Sequence, residues 1–209
     1  MTGDIMTISR LRMGTDGPGL STLVTFFGCP LQCKYCANWF CHEEETPRKS
    51  YTPENIVKSL KQDDIYFKMT GGGIVFGGGE PLLYAAFIHE VCQQADPLWK
   101  KRIETSLCSS WNQIELLVAD IDEWIVDIKD MNPKIYKKYT KISNDIVLQN
   151  LEKLIKVVPK EKILIRVPLI PSFNSYKDIE QSIKILKNMG FSRIEQFEYF
   201  KIMRQSKNH

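Results

Sequence analysis

The amino-acid sequence predicts an α/β fold, specifically a partial (β/α)6 barrel in which parallel strands are covered by outer helices. Strand-like apolar segments alternate with segments of helical period, the alternation occurs six times, and unusual polar residues follow the strand-like segments. Strict β/α alternation implies parallel strands joined by right-handed crossovers. We expect a single domain over residues 1–209, with its core at about 16–200.

The six predicted strands are short apolar segments rich in β-branched and aromatic residues, the composition of strands with two buried faces. The first, STLVTFFG, ends at a cluster of cysteines, and the second, GGIVFGGG, is closed by glycines. The segments are 21–28, 72–79, 102–108, 123–129, 162–170 and 193–200.

Helical patterns fill the intervals between these strands. Thr52 and Pro53 predict an N-cap followed by a first-turn proline, opening a helix through about Lys68. Gly190 has the position of a C′ glycine after the last helix. The remaining helical segments are 82–94, 112–120, 144–158 and 177–190.

Composition limits the class of protein. The chain has 209 residues, 43% of them apolar, and a net charge of +3, values typical of a globular protein. The basic residues are spread along the chain, which favours solvated helix faces over a nucleic-acid-binding surface. No apolar run reaches the length of a membrane span, and the N-terminus lacks the apolar core of a secretory signal. We therefore expect a cytoplasmic protein without nucleic-acid or membrane partners. We also expect it to be a monomer.

Four of the six cysteines lie in the segment GCPLQCKYCANWFCH. Cys29, Cys33 and Cys36 have the spacing C-x3-C-x2-C, and Cys41 lies beside His42. In a reducing compartment, clustered thiols bind metal more often than they form disulfides. Three thiolates can ligate three irons of a [4Fe–4S] cube and leave the fourth iron open. Structural zinc, with Cys41 or His42 as the fourth ligand, is the alternative.

A glycine-rich segment, GGGEP, follows the second predicted strand and ends in Glu80 and Pro81. Glycines allow close approach of a ligand to the backbone. The segment has neither the GK[ST] of a phosphate-binding loop nor the GxGxxG of a dinucleotide fold. It could be a simple tight turn, but its position one β/α unit after the cysteines indicates a shared site.

Active sites of parallel α/β folds lie at the carboxyl ends of the strands. The unusual residues of this chain occur there on all six predicted strands. They are the cysteine triplet, GGGEP, Glu104 with Thr105 and Ser106, Asp127 with Lys129, Arg166 and Tyr199.

On these motifs the sequence resembles the radical S-adenosylmethionine superfamily, and within it the activating enzymes of glycyl-radical enzymes, of the pyruvate formate-lyase activator type. The resemblance extends from about Asp16 to Phe200. Its most specific part is DGPGLSTLVTFFGCPLQCKYCANWF, residues 16–40, which is similar to the family's DGPG-x-R segment followed by GCP-L-x-C-x-[YW]-C-x-N. The fold implied is the partial barrel of the radical SAM type.

The resemblance implies a role for each matching residue. The three thiolates ligate a [4Fe–4S] cluster, and S-adenosylmethionine binds the fourth iron. Tyr35 is expected near the adenine, and Asp127 and Lys129 near both cofactor and substrate glycine, as candidate catalytic residues. The metal ligands are Cys29, Cys33 and Cys36, and the cofactor-binding residues are Tyr35, Gly78, Gly79, Glu80, Thr105, Ser106, Asp127, Lys129 and Arg166.

The implied reaction is reductive cleavage of S-adenosylmethionine, with one electron from flavodoxin or ferredoxin. The resulting radical abstracts hydrogen from a glycine of a partner glycyl-radical enzyme. No cysteine-rich insertion lies between Cys36 and Gly77, so one cluster is expected and no ferredoxin-like domain.

The chain departs from the family pattern at three places. Ser21 stands where the family has arginine, Phe200 where it has histidine, and the sequence ends at His209, before the last helix typical of the type member. Cys92 and Cys108, like Cys41, are expected to have no catalytic role. The alternatives are a radical SAM enzyme acting on a peptide or small molecule, and a non-catalytic relative that binds a cluster or zinc.

Overall fold

A computed structural model describes residues 1–199. It contains one eight-stranded sheet flanked by helices. The strands are β1 (Gly3–Met13), β2 (Leu20–Phe26), β3 (Lys49–Tyr51), β4 (Gly73–Gly78), β5 (Lys100–Thr105), β6 (Glu123–Asp127), β7 (Ile163–Leu169) and β8 (Ile194–Glu198).

Six strands form the parallel part of the sheet, in the order β2-β4-β5-β6-β7-β8. They correspond to the six predicted segments, and each neighbouring pair is connected through helices. Spatial order follows chain order, as a partial barrel requires. The described sheet has free edges at β3 and β8, so it stays open. The predicted α/β fold is confirmed.

Two strands were missed by the sequence analysis. β1 pairs antiparallel with β2 and with the short β3, and so extends the sheet beyond the first parallel strand. The pattern of β1 is hard to recognise because its pairing with β2 has two register shifts and its apolar residues are interrupted by Arg10 and Arg12. Arg10 bonds Asp63 at 2.5 Å across 53 residues of sequence.

The helices are α1 (Pro53–Leu60), α2 (Asp64–Thr70), α3 (Ala85–Gln94), α4 (Trp111–Leu117), α5 (Pro133–Thr140), α6 (Asp145–Val157) and α7 (Tyr176–Asn188). Thr52 caps α1, because its hydroxyl accepts from the backbone N–H of Asn55 at 3.2 Å. Gly190 follows α7 with a φ of +99°, the left-handed conformation that glycine adopts at low cost.

One helix prediction was wrong, and one helix was not predicted. The single helix expected up to Lys68 is divided into α1 and α2 by a 3-10 turn at Lys61–Asp63. Helix α5 was not predicted, because only Tyr136, Tyr139 and Thr140 of its eight residues are buried and the segment looks polar.

No helix in the described part of the chain is long and apolar enough to cross a membrane. The predictions that concern Phe200 and His209 lie outside the described residues.

Candidate active site

A cavity of about 500 Å³ is present in the partial barrel, and residues at the carboxyl ends of the parallel strands line it. It brings together residues that are distant in sequence. The predicted site residues on its wall are Cys29, Cys33, Cys36, Gly78, Gly79, Glu80, Thr105, Ser106, Asp127, Lys129 and Arg166. Tyr35 is not among the described lining residues; its ring packs 5.7 Å from Phe173 and 6.3 Å from Tyr139 between ring centroids.

The cysteine loop, defined here as residues 27–38, is held at its start by the glycine-rich turn after β4. The backbone N–H of Gly79 donates to Phe26 at 3.0 Å, and that of Glu80 donates to Gly28 at 2.8 Å. A Cβ at Gly79 would lie 2.1 Å from the carbonyl oxygen of Gly28. Glycine is therefore required at position 79 for the two segments to approach.

Helix α5 holds the middle of the cysteine loop. The backbone N–H of Gln32 donates to Thr140 at 3.0 Å, and that of Lys34 donates to Tyr139 at 3.3 Å. Further on, the Asn38 side chain donates to the carbonyl of Gly78 at 2.9 Å. The loop is thus bonded to two parts of the fold on either side of the cavity.

The three predicted ligand thiols are free and line the same cavity. Burial raises the pKa of Cys29, with Glu80 adding to the effect, and it raises the pKa of Cys33 to about 11. Cys41 is fully buried and is not among the described lining residues. Within residues 1–199, no three His, Cys, Asp or Glu side chains are gathered around a single metal-ion position.

Glu80 is buried, and its carboxylate accepts hydrogen bonds from other residues of the protein. Its carboxylate accepts from the hydroxyls of Thr105 and Ser106, both at 2.6 Å. It also accepts from the backbone N–H groups of Ser106 at 3.0 Å and Leu82 at 3.2 Å. Burial raises the pKa of Glu80, although these bonds act in the opposite direction. Thr105 and Ser106 therefore anchor Glu80 in this structure.

Lys129 contributes a positive charge to the cavity wall. Its Nζ donates to Asp127 at 2.8 Å and to the hydroxyl of Tyr199 at 2.6 Å. Burial opposes the charged form, but Asp127 and Tyr199 outweigh it and hold the pKa of Lys129 well above its usual value. The ammonium group is therefore charged throughout the neutral pH range.

A second cationic side chain, that of Arg166 in β7, reaches Glu104 in β5. Arg166 donates through Nη1 to Glu104 at 2.9 Å and through Nη2 to the carbonyl of Thr15 at 2.7 Å. Burial raises the pKa of Glu104, and Arg166 partly offsets this effect. Arg166 thus connects the sheet to the loop that carries the DGPG segment.

That loop also explains the departure at Ser21. The Ser21 hydroxyl donates to Asp16 at 3.1 Å, and Arg12 of β1 donates to both carboxylate oxygens of Asp16, at 2.5 and 2.8 Å. Burial raises the pKa of Asp16, but the bond from Arg12 and the smaller contributions of Thr15 and Ser21 bring it below the usual value. Ser21 and its cross-strand neighbour Arg12 thus bond the same carboxylate.

Several lining residues were not predicted. Asn38 and Asp16 lay within the quoted motifs, so the sequence contained a signal for them. Arg12 and Tyr139 had none, because their elements were not recognised. Arg12, Asn38 and Tyr139 line the cavity without having been predicted, whereas Glu104 and Tyr199 belong to the strand-end residues that the sequence pattern indicated.

The donor set of the cavity suits a metal–sulfur cluster with a charged organic cofactor. Thiolates are the ligands of iron–sulfur clusters, and Lys129 and Arg166 are cations that can face a carboxylate. The buried hydroxyl of Tyr139 has no hydrogen-bond partner within the described residues, although Tyr139 lines the cavity. An unpaired buried hydroxyl is costly, so a bound group with an acceptor atom fits here.

Fold and site together define a class: a parallel α/β partial barrel in which three thiols and several charged side chains line one cavity. The family model described as "Radical SAM superfamily" matches residues 23–186. The chain therefore belongs to the radical SAM superfamily.

Curated relatives are similar over most of the chain. The chain is 28% identical to the (2S)-3-sulfopropanediol dehydratase activating enzyme of Klebsiella oxytoca, over 97% of this chain and 82% of that enzyme. It is 27% identical to a 4-hydroxyphenylacetate decarboxylase activating enzyme of Clostridioides difficile, over 90% of this chain and 79% of the enzyme.

Among solved structures, SuiB of Streptococcus suis bound to S-adenosylmethionine superposes with a TM-score of 0.65 at 17% identity. The match covers 88% of this chain and 44% of SuiB, so the chain spans less than half of that protein. This likeness concerns the fold alone. Radical SAM proteins use a [4Fe–4S] cluster and S-adenosylmethionine, so the family assignment favours a cluster over zinc at the three thiols.

Proposed function

We propose that this protein is an activating enzyme that generates a glycyl radical on a partner glycyl-radical enzyme. The observation that carries the proposal is the convergence of Cys29, Cys33, Cys36, Glu80 and Lys129 on one cavity. The names of the relatives, which are activating enzymes, support the class of reaction.

Within this proposal, the three cysteines ligate the cluster and leave one iron for S-adenosylmethionine. When bound, the two groups supply one-electron cleavage of the cofactor to methionine and a 5′-deoxyadenosyl radical. The protein binds and orients these groups and excludes water, because the radical chemistry belongs to the cofactor. Leu31, Tyr139 and Phe197 provide the apolar part of the cavity wall.

The charged residues of the cavity orient the cofactor. Lys129, held by Asp127 and Tyr199, keeps its proton on Nζ and presents a fixed charge to a carboxylate or to the substrate backbone. Arg166 acts similarly from β7. The Glu80 turn, with Gly78 and Gly79, holds the cysteine loop and offers backbone groups to the methionine part, while Thr105 and Ser106 contact the cofactor from beside Glu80. Tyr35 stays a predicted adenine contact.

The range of candidate partner enzymes is wider than the resemblance alone implies. The motifs resemble the pyruvate formate-lyase activator, whereas the relatives are named for a sulfopropanediol dehydratase and a hydroxyphenylacetate decarboxylase. The candidate partners therefore include all three enzyme types. A flavodoxin or ferredoxin supplies the electron, and the protein acts as a monomer.

Anaerobic reconstitution with iron and sulfide tests the proposal. We expect a [4Fe–4S] EPR signal after reduction with dithionite, and 5′-deoxyadenosine when S-adenosylmethionine is added. Incubation with the three candidate partners should then give a glycyl EPR doublet on one of them. Absence of both the cluster signal and deoxyadenosine contradicts the proposal.

The partner step separates this proposal from its alternatives. If deoxyadenosine forms but no glycyl-radical enzyme gains the doublet, the protein is a radical SAM enzyme with another substrate. Replacing the target glycine of the responding partner with alanine is the matched control, and it should remove the doublet while leaving reductive cleavage unchanged.

A further inference from the structure

Helix α5 has an outer face made of lysines. Lys134, Lys137, Lys138 and Lys141, the C-cap residue, are all exposed and have the spacing i, i+3, i+4, i+7 of one helix face. The buried residues Tyr136, Tyr139 and Thr140 lie on the other face. We call these four lysines the α5 lysine face.

The composition of this helix differs from that of the others. Among the α-helices described, α5 alone contains lysine without any acidic residue. Helices α6 and α7 also carry lysines, but they carry acidic residues on the same segments. In the described residues, no ion pair reaches any member of the α5 lysine face. Its charge is therefore available to a partner.

The α5 lysine face also lies next to the cysteine loop. The last residues of α5, Tyr139 and Thr140, accept backbone hydrogen bonds from Lys34 and Gln32, the residues on either side of Cys33. Lys34 is itself exposed, so it adds a fifth positive charge beside the face. Lys138 extends over the ring of Phe173, with its Nζ 5.4 Å from the ring centroid.

We propose that the α5 lysine face, together with Lys34, is the docking surface for the electron donor, a small acidic one-electron-transfer protein. This inference rests on the proposed function, which requires such a donor. In the transfer, the donor loses one electron and the site gains it, with no bond made or broken. Electron-transfer complexes are small and weak, and complementary charge is their main means of fast association.

Charge and position favour the donor over the glycyl-radical enzyme as the occupant. A substrate glycine must enter the cavity, whereas an electron needs only a short path to the cysteine loop from outside. The α5 lysine face lies on the solvent side of α5, and Tyr139 of the same helix lines the cavity on the inner side. The face therefore lies beside the cysteine loop, on the side of α5 that is exposed to solvent.

Binding of oxidised flavodoxin to the reconstituted protein tests this inference without measuring activity. The test variant is the triple substitution K134Q/K137Q/K138Q. Its matched control, K177Q/K184Q/K187Q, removes the same charge from exposed positions of α7. We expect the α5 variant to weaken binding about tenfold or more at low ionic strength and to flatten its salt dependence, because short-range charge pairs are lost. The α7 variant should change binding less than about twofold.

Four results would overturn the inference. Equal weakening by both variants would mean that flavodoxin responds only to net charge. Absence of binding by the unchanged protein, or unchanged binding by the α5 variant, would exclude this surface. Loss of binding to the glycyl-radical enzyme, with flavodoxin binding retained, would assign the face to that partner.

Dithionite separates failure of this inference from failure of the proposed function. The chemical reductant needs no docking surface, so the α5 variant should form deoxyadenosine with dithionite at the rate of the unchanged protein. With reduced flavodoxin at low concentration, the same variant should be slower. If dithionite gives no product with either protein, the proposed function is wrong, whereas the binding result still decides the docking surface.

Discussion

Two walls of the cavity contrast in how completely their polar groups are bonded. On the wall built from β4 and β5, Glu80 accepts four hydrogen bonds from Leu82, Thr105 and Ser106. On the wall formed by the cysteine loop and α5, three thiols are free and the hydroxyl of Tyr139 has no partner within the described residues. The carboxylate of the first wall is thus paired within the fold, whereas the Tyr139 hydroxyl of the second is left to a group that binds there. Substitutions on the first should affect stability, and those on the second should affect binding.

The largest effect is expected for Cys33→Ala. Removing one of three ligands should abolish the [4Fe–4S] signal and all cofactor cleavage, because no other thiol lines the cavity in the described residues. Iron content, the EPR spectrum and deoxyadenosine formation measure this.

Cys41→Ala is the matched control for the ligand prediction. Cys41 is buried nearby, but its thiol lies outside the cavity wall, and its bond to Gly28 uses the backbone carbonyl, which alanine retains. The cluster and the cleavage reaction should persist. Loss of the cluster in this variant would make Cys41 a ligand and contradict the assignment of three.

Glu80→Ala is expected to give the largest loss of stability. It leaves the buried hydroxyls of Thr105 and Ser106 and the backbone N–H of Ser106 without their acceptor. Because unpaired buried donors are costly, the free energy of unfolding should fall by about 2–4 kcal/mol. Urea denaturation of the protein without cofactors measures it. Unchanged stability would mean that the first wall is not held by Glu80.

Lys129→Met is expected to affect binding. It removes the cation while keeping an unbranched side chain, so affinity for S-adenosylmethionine should fall about tenfold, the value of one charge-assisted hydrogen bond. Calorimetric titration of the reconstituted protein measures it. Tyr199→Phe, which removes one bond to Lys129 and keeps the charge, should have a smaller effect. An equal loss in both variants would indicate that orientation matters more than charge.

The smallest effect is expected for Tyr139→Phe. Without cofactors, stability should be unchanged or raised by up to about 1 kcal/mol, because the hydroxyl that is removed has no partner. Binding of S-adenosylmethionine should weaken by about twofold to fivefold if the hydroxyl bonds the bound group. Thermal unfolding and calorimetry, measured on the same preparation, give the two values. A marked loss of stability would mean that the Tyr139 hydroxyl is bonded within the fold. It would therefore contradict the proposed difference between the two walls.

The parts of the molecule that could be predicted from sequence are those with local signals. The parallel strands were found because apolar segments of that length are informative by themselves, and the three cysteines because their spacing is short. Strand β1 was missed because Arg10 and Arg12 are partnered by Asp63 and Asp16, which no periodicity shows. Helix α5 was missed because its buried face consists mainly of tyrosines.

Only some of the site residues and contacts could be predicted, for the same reason. Glu80 and Lys129 belong to short motifs, so their place on the cavity wall could be expected. The bonds from Thr105 and Ser106 to Glu80 could not, because they depend on how β4 and β5 are aligned in the sheet. The place of Tyr139 likewise depends on the packing of α5 against the cysteine loop.

The close contact between Gly79 and Gly28 has a consequence for how the protein matures. A loop already fixed at Gly28 by the β4 turn, and at Gln32 and Lys34 by α5, loses little conformational entropy when the cluster is inserted. Insertion of the cluster would then require little rearrangement of the loop backbone, and the loop would not have to fold around the metal.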